Sequence, residues 1–198
     1  MITLTSEQDK TQLRKHALKL IEQDEFEGLI ILVEILRETN FKLNSALKES
    51  FLKKAAKHGH LEIVKYLVEH GADIHANNDF ALRKASNNGH LDVVKYLVEN
   101  GADIHVSNDY ALRWTAFNGQ LEIVKYLVEH GANIHALDDE SLRCAADNGH
   151  LEIVKYLVEQ GANIHANHNY ALRTAQKYGH TKVVEYLQEV LKNDRAHK

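Results

Sequence analysis

Apolar residues recur at helical spacing over most of the chain. Between Leu61 and His70 the apolar positions share one broad face, and they are Leu61, Ile63, Val64, Leu67 and Val68. Charged residues occupy the opposite face, and Gly71 follows at a position where helices commonly end in a left-handed residue. The pattern predicts an amphipathic helix from Leu61 to His70 with one buried side.

The segment that contains this helix, GHLEIVKYLVEHGADIHA from Gly59, returns at intervals of 30 residues. Its copies begin at Gly89, Gly119, Gly149 and Gly179, and the last copy is cut short. A fixed period of this length is typical of repeat proteins, in which each repeat is one supersecondary unit. A single unit cannot bury enough apolar surface to offset its loss of conformational entropy, so we expect the units to stack.

Each copy carries the same signals before its turn glycine. A short first helix is predicted to point one leucine inward in every copy: Leu82, Leu112, Leu142 and Leu172. A polar residue ahead of it is suited to accept free amides at the helix start: Asp79, Asp109, Asp139 and Asn169. The stretch ADIHANND, which joins one helix pair to the next, is predicted to be extended and to project as a finger.

The N-terminal segment departs from the repeat. Thr5 and Ser6 are placed to cap a helix that runs to about Gln23, and a second helix is predicted from Phe26 to about Leu36. A turn at Asn40 to Asn44 follows. We interpret this segment as an irregular helix pair that covers the open end of a stack.

These patterns divide the chain into three parts. Residues 1–45 form an irregular N-terminal helical cap, residues 46–191 form an array of five 30-residue units, and residues 192–198 form a tail. The last unit replaces apolar or repeat-typical residues with polar ones, as an outward-facing end requires: Thr181, Lys182, Gln188 and Glu189.

Composition and charge narrow the class of protein. Of 198 residues, 44% are hydrophobic and 26% are charged, which is ordinary for a folded soluble chain. The net charge of −4 argues against a general affinity for nucleic acid or anionic membranes. The single cysteine, Cys144, excludes an intrachain disulfide and a cysteine-built metal site. With no signal-peptide core and no long apolar run, the chain is expected inside the cell, in the cytoplasm.

The repeated segment GHLEIVKYLVEHGADIHA resembles the ankyrin repeat family from about Ala46 to Leu191. Two features depart from the family pattern: the usual period of about 33 residues is shortened by three, and the helix-opening threonine, proline, leucine and histidine become Tyr110, Ala111, Leu112 and Arg113. The chain looks like the short, proline-free variety found in giant viruses. The resemblance implies an all-α, ankyrin-type solenoid of stacked antiparallel helix pairs, and protein–protein recognition through a concave face without catalysis.

Positions that vary between such closely copied repeats are free of packing constraints and are candidates for binding. The candidate partner-binding residues are Lys84, Asn87, Trp114, Phe117, Asn118, Leu137, Asp147, Lys177 and Tyr178. Trp114 and Phe117 are large and apolar where other copies have Lys84 and Asn87, so they are predicted to form an aromatic anchor. The alternative is that Trp114 packs between neighbouring helices.

Three sets of side chains invite other functions. The histidines at one finger position are too far apart to chelate a metal, at about 10 Å per repeat, and are expected to tie one finger to the next: His75, His105, His135 and His165. Those after the turn glycine are expected to be structural, with a weak pH response as the alternative: His60, His90, His150 and His180. The arginines are predicted to form a charge-paired face, with an acidic peptide groove as the alternative: Arg83, Arg113, Arg143 and Arg173.

The function favoured is a noncatalytic scaffold that binds a partner protein, with no cofactor, metal or catalytic residue. Cys144 is expected to be a packed thiol. The alternatives are an adaptor that recruits a host protein to another machine such as a ubiquitin ligase, or a self-associating structural protein. We expect a monomer, with weak self-association as the alternative. An enzyme and a nucleic-acid binder are the rival classes, disfavoured by the repeats and the charge.

Overall fold

The computed structural model describes residues 44–196, together with residues 11, 12, 15, 16, 18–20 and 23. The described residues between 11 and 20 are helical, as predicted for the helix that ends near Gln23. The rest of that helix, the helix predicted from Phe26 to Leu36 and the turn after Asn40 lie outside the described residues, except for Asn44. The Asn44 side chain accepts a hydrogen bond from the Leu47 amide at 3.0 Å and caps the first helix of the array.

Between Asn44 and Ala196 the regular structure is entirely helical. In chain order its helices are α1 (Ser45–His58), α2 (Leu61–Glu69), α3 (Ala76–Asn88), α4 (Leu91–Glu99), α5 (Val106–Phe117), α6 (Leu121–Glu129), α7 (Ala136–Asp147), α8 (Leu151–Glu159), α9 (Ala166–Tyr178) and α10 (Thr181–Ala196). Odd-numbered helices are the first helix of each pair and even-numbered helices the second. Helix α10 continues through residues 192–196, which the sequence assigned to a tail.

The chain forms two compact units, Met1–Asp103 and Ile104–Lys198. In the first unit, α1 packs against α2 and α3, and α4 packs against α2 and α3. In the second unit, α7 packs against α5, α8 and α9, and α8 also packs against α6 and α10. Within each unit, first helices therefore lie beside first helices and second beside second. The predicted all-α, ankyrin-type fold class of stacked helix pairs is confirmed.

The core of each pair is formed by apolar residues at matching positions. In the second helix of the first pair, Ile63, Val64 and Leu67 are fully buried, and the equivalent residues of α4, α6 and α8 are buried too. The inward leucines Leu82, Leu112 and Leu142 are 0% exposed, as predicted, whereas Leu172 is partly exposed. Among the described helices, α9 packs against α7 and α10, and no first helix covers its other side. Truncation of a buried leucine to alanine costs about 2–5 kcal/mol.

The turn glycines let successive repeats approach each other closely. Gly149 follows α7 in a left-handed conformation (φ +73°), and a Cβ there would lie 2.5 Å from His180 Nδ1. The His180 ring donates from Nε2 to the Asp147 carbonyl oxygen at 2.9 Å. The same contact joins Gly119 to His150 and Gly59 to His90. The predicted structural role is therefore confirmed for these three histidines. Each one joins its repeat to the turn of the repeat before it, and we call this contact the latch.

Candidate functional site

Each first helix from α3 onwards opens with three left-handed residues, here called the left-handed turn. All have φ between 48° and 60°, and they are Asn77–Asp79, Ser107–Asp109, Leu137–Asp139 and Asn167–Asn169. Asparagine and aspartate are the non-glycine residues that best tolerate this conformation, because their short side chains form local hydrogen bonds. The prediction of an extended finger was wrong at these residues. Three of the twelve residues are neither asparagine nor aspartate, namely Ser107, Leu137 and His168, and only Leu137 among them is apolar.

An arginine one turn later holds each left-handed turn in place. Arg83 donates from Nε and a terminal nitrogen to the carbonyl oxygens of Asn78 and Asn77, at 2.9 and 2.8 Å. Arg113 and Arg143 make the same pair of hydrogen bonds. Arg173 makes the one from a terminal nitrogen, to the Asn167 carbonyl oxygen at 3.4 Å. The predicted charge-paired face is corrected, because the partners shared by all four arginines are backbone carbonyls. Arg113 also forms an ion pair with Glu140 of the next repeat at 2.7 Å. Among the ion pairs described, this is the one arginine–carboxylate pair of the predicted kind.

A buried aspartate at the end of each of the first three left-handed turns binds the finger of the next repeat. Asp139 is 4% exposed, and its Oδ1 accepts from His135 Nδ1 at 3.0 Å and from the Asn163 amide at 2.9 Å. The predicted role at the helix start is corrected. The left-handed backbone replaces the extended N-cap conformation, and helix α7 has no side-chain cap.

The same pair of hydrogen bonds recurs at Asp109 and Asp79, and in each case a finger histidine contacts the buried aspartate. Asp109 binds His105 Nδ1 and the Asn133 amide at 3.0 and 2.8 Å, and Asp79 makes the corresponding bonds in the first unit. Since a buried carboxylate must be hydrogen-bonded, the histidine satisfies part of its requirement. The structural role predicted for the histidines is confirmed, with the correction that aspartate makes the bond to the next finger.

Three aromatic side chains form a stripe along helix α5. The Trp114 ring lies between Tyr110 and Phe117, with centroids 5.5 and 5.3 Å away. Trp114 is half-buried by these contacts, whereas Phe117 at the helix end is 39% exposed. Ring pairs at this separation and tilt are favourable beyond their buried area. Phe117 therefore packs against Trp114 of the same helix and remains exposed to solvent.

The exposed large hydrophobic side chains of the described residues are Phe117, Leu137 and Tyr178, at 39, 48 and 54% exposure. All three lie in the second unit, at the ends of first helices or in a left-handed turn. Helix α7 packs against both α5 and α9. Phe117 and Tyr178 lie at the C-terminal ends of α5 and α9, whereas Leu137 lies in the left-handed turn at the start of α7. Exposed large hydrophobic side chains on consecutive first helices are candidates for contact with a partner protein.

Polar candidates flank these hydrophobics in the second unit. Lys177 Nζ donates to the Tyr178 hydroxyl at 3.2 Å, and this hydrogen bond raises the pKa of Lys177. The Asp147 carbonyl is engaged by the His180 latch, and Asn118 is exposed at the end of α5. Lys177 therefore carries a stable positive charge beside an exposed tyrosine ring.

Cys144 is half-buried on helix α7, at the position that Trp114 occupies on α5. Burial, and then the nearby Glu140 carboxylate, raise the pKa of the Cys144 thiol to about 11. The thiol stays protonated at neutral pH, and a protonated thiol is a poor nucleophile. The structure thus places a packed thiol here, as expected.

The remaining candidates, Lys84 and Asn87, lie on helix α3 of the first unit. Lys84 is one of three basic residues around the Phe80 ring, with Nζ 5.1 Å from the ring centroid. Lys53 Nζ lies 4.3 Å and Arg83 Cζ 5.3 Å from the same centroid. Sequence reasoning did not single out Phe80 or Lys53, although Phe80 stands at the aromatic position of Tyr110.

Within the described part of the chain, no group of three or more histidine, cysteine, aspartate or glutamate side chains is placed to hold a metal ion. None of the helices in residues 44–196 has the length and apolar character needed to cross a membrane.

The repeated left-handed turns, latches and stacked pairs agree with a comparison to protein families. The family model for ankyrin repeats, in three copies, matches residues 24–109 and again residues 112–196. The chain belongs to the ankyrin repeat family. In a comparison with curated proteins, none matched this chain. Ankyrin repeats form protein–protein interaction domains, so the chain carries such a domain.

Proposed function

We propose that this ankyrin repeat chain is a noncatalytic scaffold that binds one partner protein through the first helices and left-handed turns of its second unit. The observation that supports this most directly is the exposure of Phe117, Leu137 and Tyr178 on the consecutive first helices α5, α7 and α9, because no other large hydrophobic side chain of the described residues is exposed. Buried aromatic anchors account for most of the binding energy in typical protein interfaces. Their partner would cover them and leave Asn118, Asp147 and Lys177 at the polar rim.

The conformation of Leu137 strengthens this proposal. Its φ of 51° is left-handed, which costs a non-glycine residue about 1–2 kcal/mol. Its side chain is nearly half exposed, so burial within the chain offsets little of this cost. The equivalent residue Asn77 tolerates the same turn without an exposed apolar group. Unfavourable backbone conformations that persist in this way are concentrated at functional sites.

The chain is proposed to act without catalysis and as a monomer inside the cell. Its one cysteine has a pKa of about 11 and remains a thiol at neutral pH. A reducing compartment suits a chain with a single unpaired cysteine.

Substitutions borrowed from other repeats test the proposal without disturbing the frame. Phe117→Asn and Leu137→Asn together introduce the residues found at Asn87 and Asn77, so the variant is expected to fold. A matched control is His130→Asn, which introduces the residue of Asn100 at the end of a second helix, where either side chain bonds to a tyrosine carbonyl. The measurement is affinity capture of partners from a cell lysate, with thermal melts of both variants.

A partner captured by the natural chain and by His130→Asn, and lost with the double variant, would support the proposed site. Loss of two exposed anchors is expected to weaken binding by at least about 2 kcal/mol, or roughly thirtyfold. Capture that survives the double variant would show that the partner binds elsewhere on the chain.

A further inference from the structure

The first helices of the first unit have a charge balance opposite to that of the chain. Helices α1 and α3 carry the basic residues Lys48, Lys53, Lys54, Lys57, Arg83 and Lys84, and only two carboxylates, Glu49 and Asp79. The whole chain has a net charge of −4. The three first helices of the second unit together carry five carboxylates and four basic residues. Positive charge is therefore concentrated on one pair of neighbouring helices.

The geometry places these basic side chains on a shared surface. Helix α1 packs against α3, and Lys53 of α1 and Lys84 of α3 both lie against the Phe80 ring. Lys53 and Lys57 are exposed, and they are separated by about one helical turn. We call Lys53, Lys54, Lys57, Arg83 and Lys84 the basic surface.

The two carboxylates on these helices already have other partners. Asp79 is 3% exposed and accepts hydrogen bonds from the Asp103 amide and from His75. Glu49 accepts a hydrogen bond from the Ser45 hydroxyl at 2.8 Å. In the adjoining finger, the Asp73 carboxylate accepts from the His75 amide at 2.9 Å. With six basic residues and two carboxylates, α1 and α3 together keep a net charge of +4, which favours the approach of an anionic group.

We propose that the basic surface binds an acidic segment of a partner protein. The proposal rests on the function proposed above, because it assumes that the chain binds protein, but it concerns a different unit and different residues. A single-stranded nucleic acid is the less suitable ligand: it needs an aromatic ring on which a base can stack, and the Phe80 ring is covered by basic groups. The net negative charge of the chain also opposes the long phosphate backbone of a nucleic acid.

The probe is a fluorescent synthetic peptide of about twelve residues that alternates glutamate and glycine, with a glutamine and glycine peptide as the neutral reference. Binding is measured by fluorescence anisotropy over a range of salt concentrations. The test variant is Lys53→Gln, Lys57→Gln and Lys84→Gln together. The control variant is Lys65→Gln, Lys95→Gln and Lys125→Gln, which removes the same charge from second helices. A labelled oligothymidine of similar length is run in parallel.

The natural chain and the control variant are expected to bind the glutamate peptide in low salt and to release it as screening increases. The test variant is expected to bind at least about tenfold more weakly, since three charge contacts are lost. The Phe117→Asn and Leu137→Asn variant is expected to bind like the natural chain, so this result is separate from that of the lysate capture.

Three outcomes would overturn the inference. The natural chain fails to bind the glutamate peptide in low salt, or binds the glutamine peptide equally well. The test and control variants weaken binding equally, which would indicate total charge and not the basic surface. Oligothymidine binds more tightly than the glutamate peptide and loses affinity in the test variant, which would assign the surface to nucleic acid.

Discussion

Replacement of Gly149 by alanine tests whether the latch between repeats stabilises the fold. The added Cβ would lie 2.5 Å from His180 Nδ1, so the ring must move and its hydrogen bond to the Asp147 carbonyl is lost. The left-handed backbone at φ +73° adds a second cost, because alanine is disfavoured there by about 1–2 kcal/mol. The lost hydrogen bond contributes about 0.5–1.5 kcal/mol. The expected destabilisation is therefore about 1.5–3.5 kcal/mol.

Gly161 provides the matched control. It is also left-handed, at φ +96°, but no atom lies within 4 Å of the position its Cβ would take. The Gly161→Ala variant is expected to lose only the backbone contribution of about 1–2 kcal/mol. The difference between the two variants isolates the latch.

The assay is urea denaturation followed by circular dichroism, with hydrogen exchange to locate the weakened repeats. Exchange is needed because repeat arrays do not always unfold in one step. We expect faster exchange in α9 and α10 for Gly149→Ala than for Gly161→Ala. Equal destabilisation by the two variants would refute the reasoning, since the histidine contact would then contribute nothing measurable.

Other parts of the structure give three further predictions. Asp139→Ala should destabilise the chain by about 1–3 kcal/mol in urea denaturation, because the Asn163 amide loses its acceptor. Asp139→Asn keeps an acceptor, as Asn169 does beside His165, and should destabilise the chain less. Equal losses of stability in the two variants would contradict the bond to the next turn. Leu137→Asn should raise stability by up to about 1 kcal/mol while weakening partner capture, since asparagine suits the left-handed turn, and a lower melting temperature would contradict this. The rate of Cys144 alkylation should be low at pH 7 and rise about tenfold per pH unit until close to pH 11, because the raised pKa keeps the thiolate scarce below that pH. A rate that stops rising near pH 9 would contradict the effect of burial on this thiol.

The second helices were predictable from sequence because their stability depends on local periodicity. Leu61 to Glu69 differs from the predicted helix by one residue, and Gly71 is left-handed as expected. The left-handed turns were not predicted, because their stabilising partners are distant along the chain. Arg83 reaches back five and six residues, and Asp79 binds an amide 24 residues ahead. The recurrence of asparagine and aspartate at these positions was a signal for positive φ that sequence reasoning read as an N-cap.

The sequence predicted the exposure of some candidate site residues and missed the packing of others. Variation between copies singled out Phe117, Leu137 and Tyr178, which the structure places in solvent. The half-burial of Trp114 could not be read from the repeat comparison, because it depends on how its ring packs between Tyr110 and Phe117. The group around Phe80 was missed because Lys53 was not compared with Arg83, whose repeat position it shares, and because its contact with Phe80 depends on how α1 packs against α3.

Within the second unit, the contacts that join one repeat to the next recur in kind, with the donor in one copy and the acceptor in its neighbour. Asp109 and Asp139 each bind the amide 24 residues ahead, and His150 and His180 each bind the carbonyl 33 residues behind. If a block of one full period were duplicated at such a junction, the new repeat would offer each neighbour the same hydrogen-bond donors and acceptors as the repeat it copies. Duplication by any other length would break every one of these pairings. The gene can therefore lengthen or shorten by whole periods at little structural cost, and the size of the binding surface becomes a quantity that recombination can adjust.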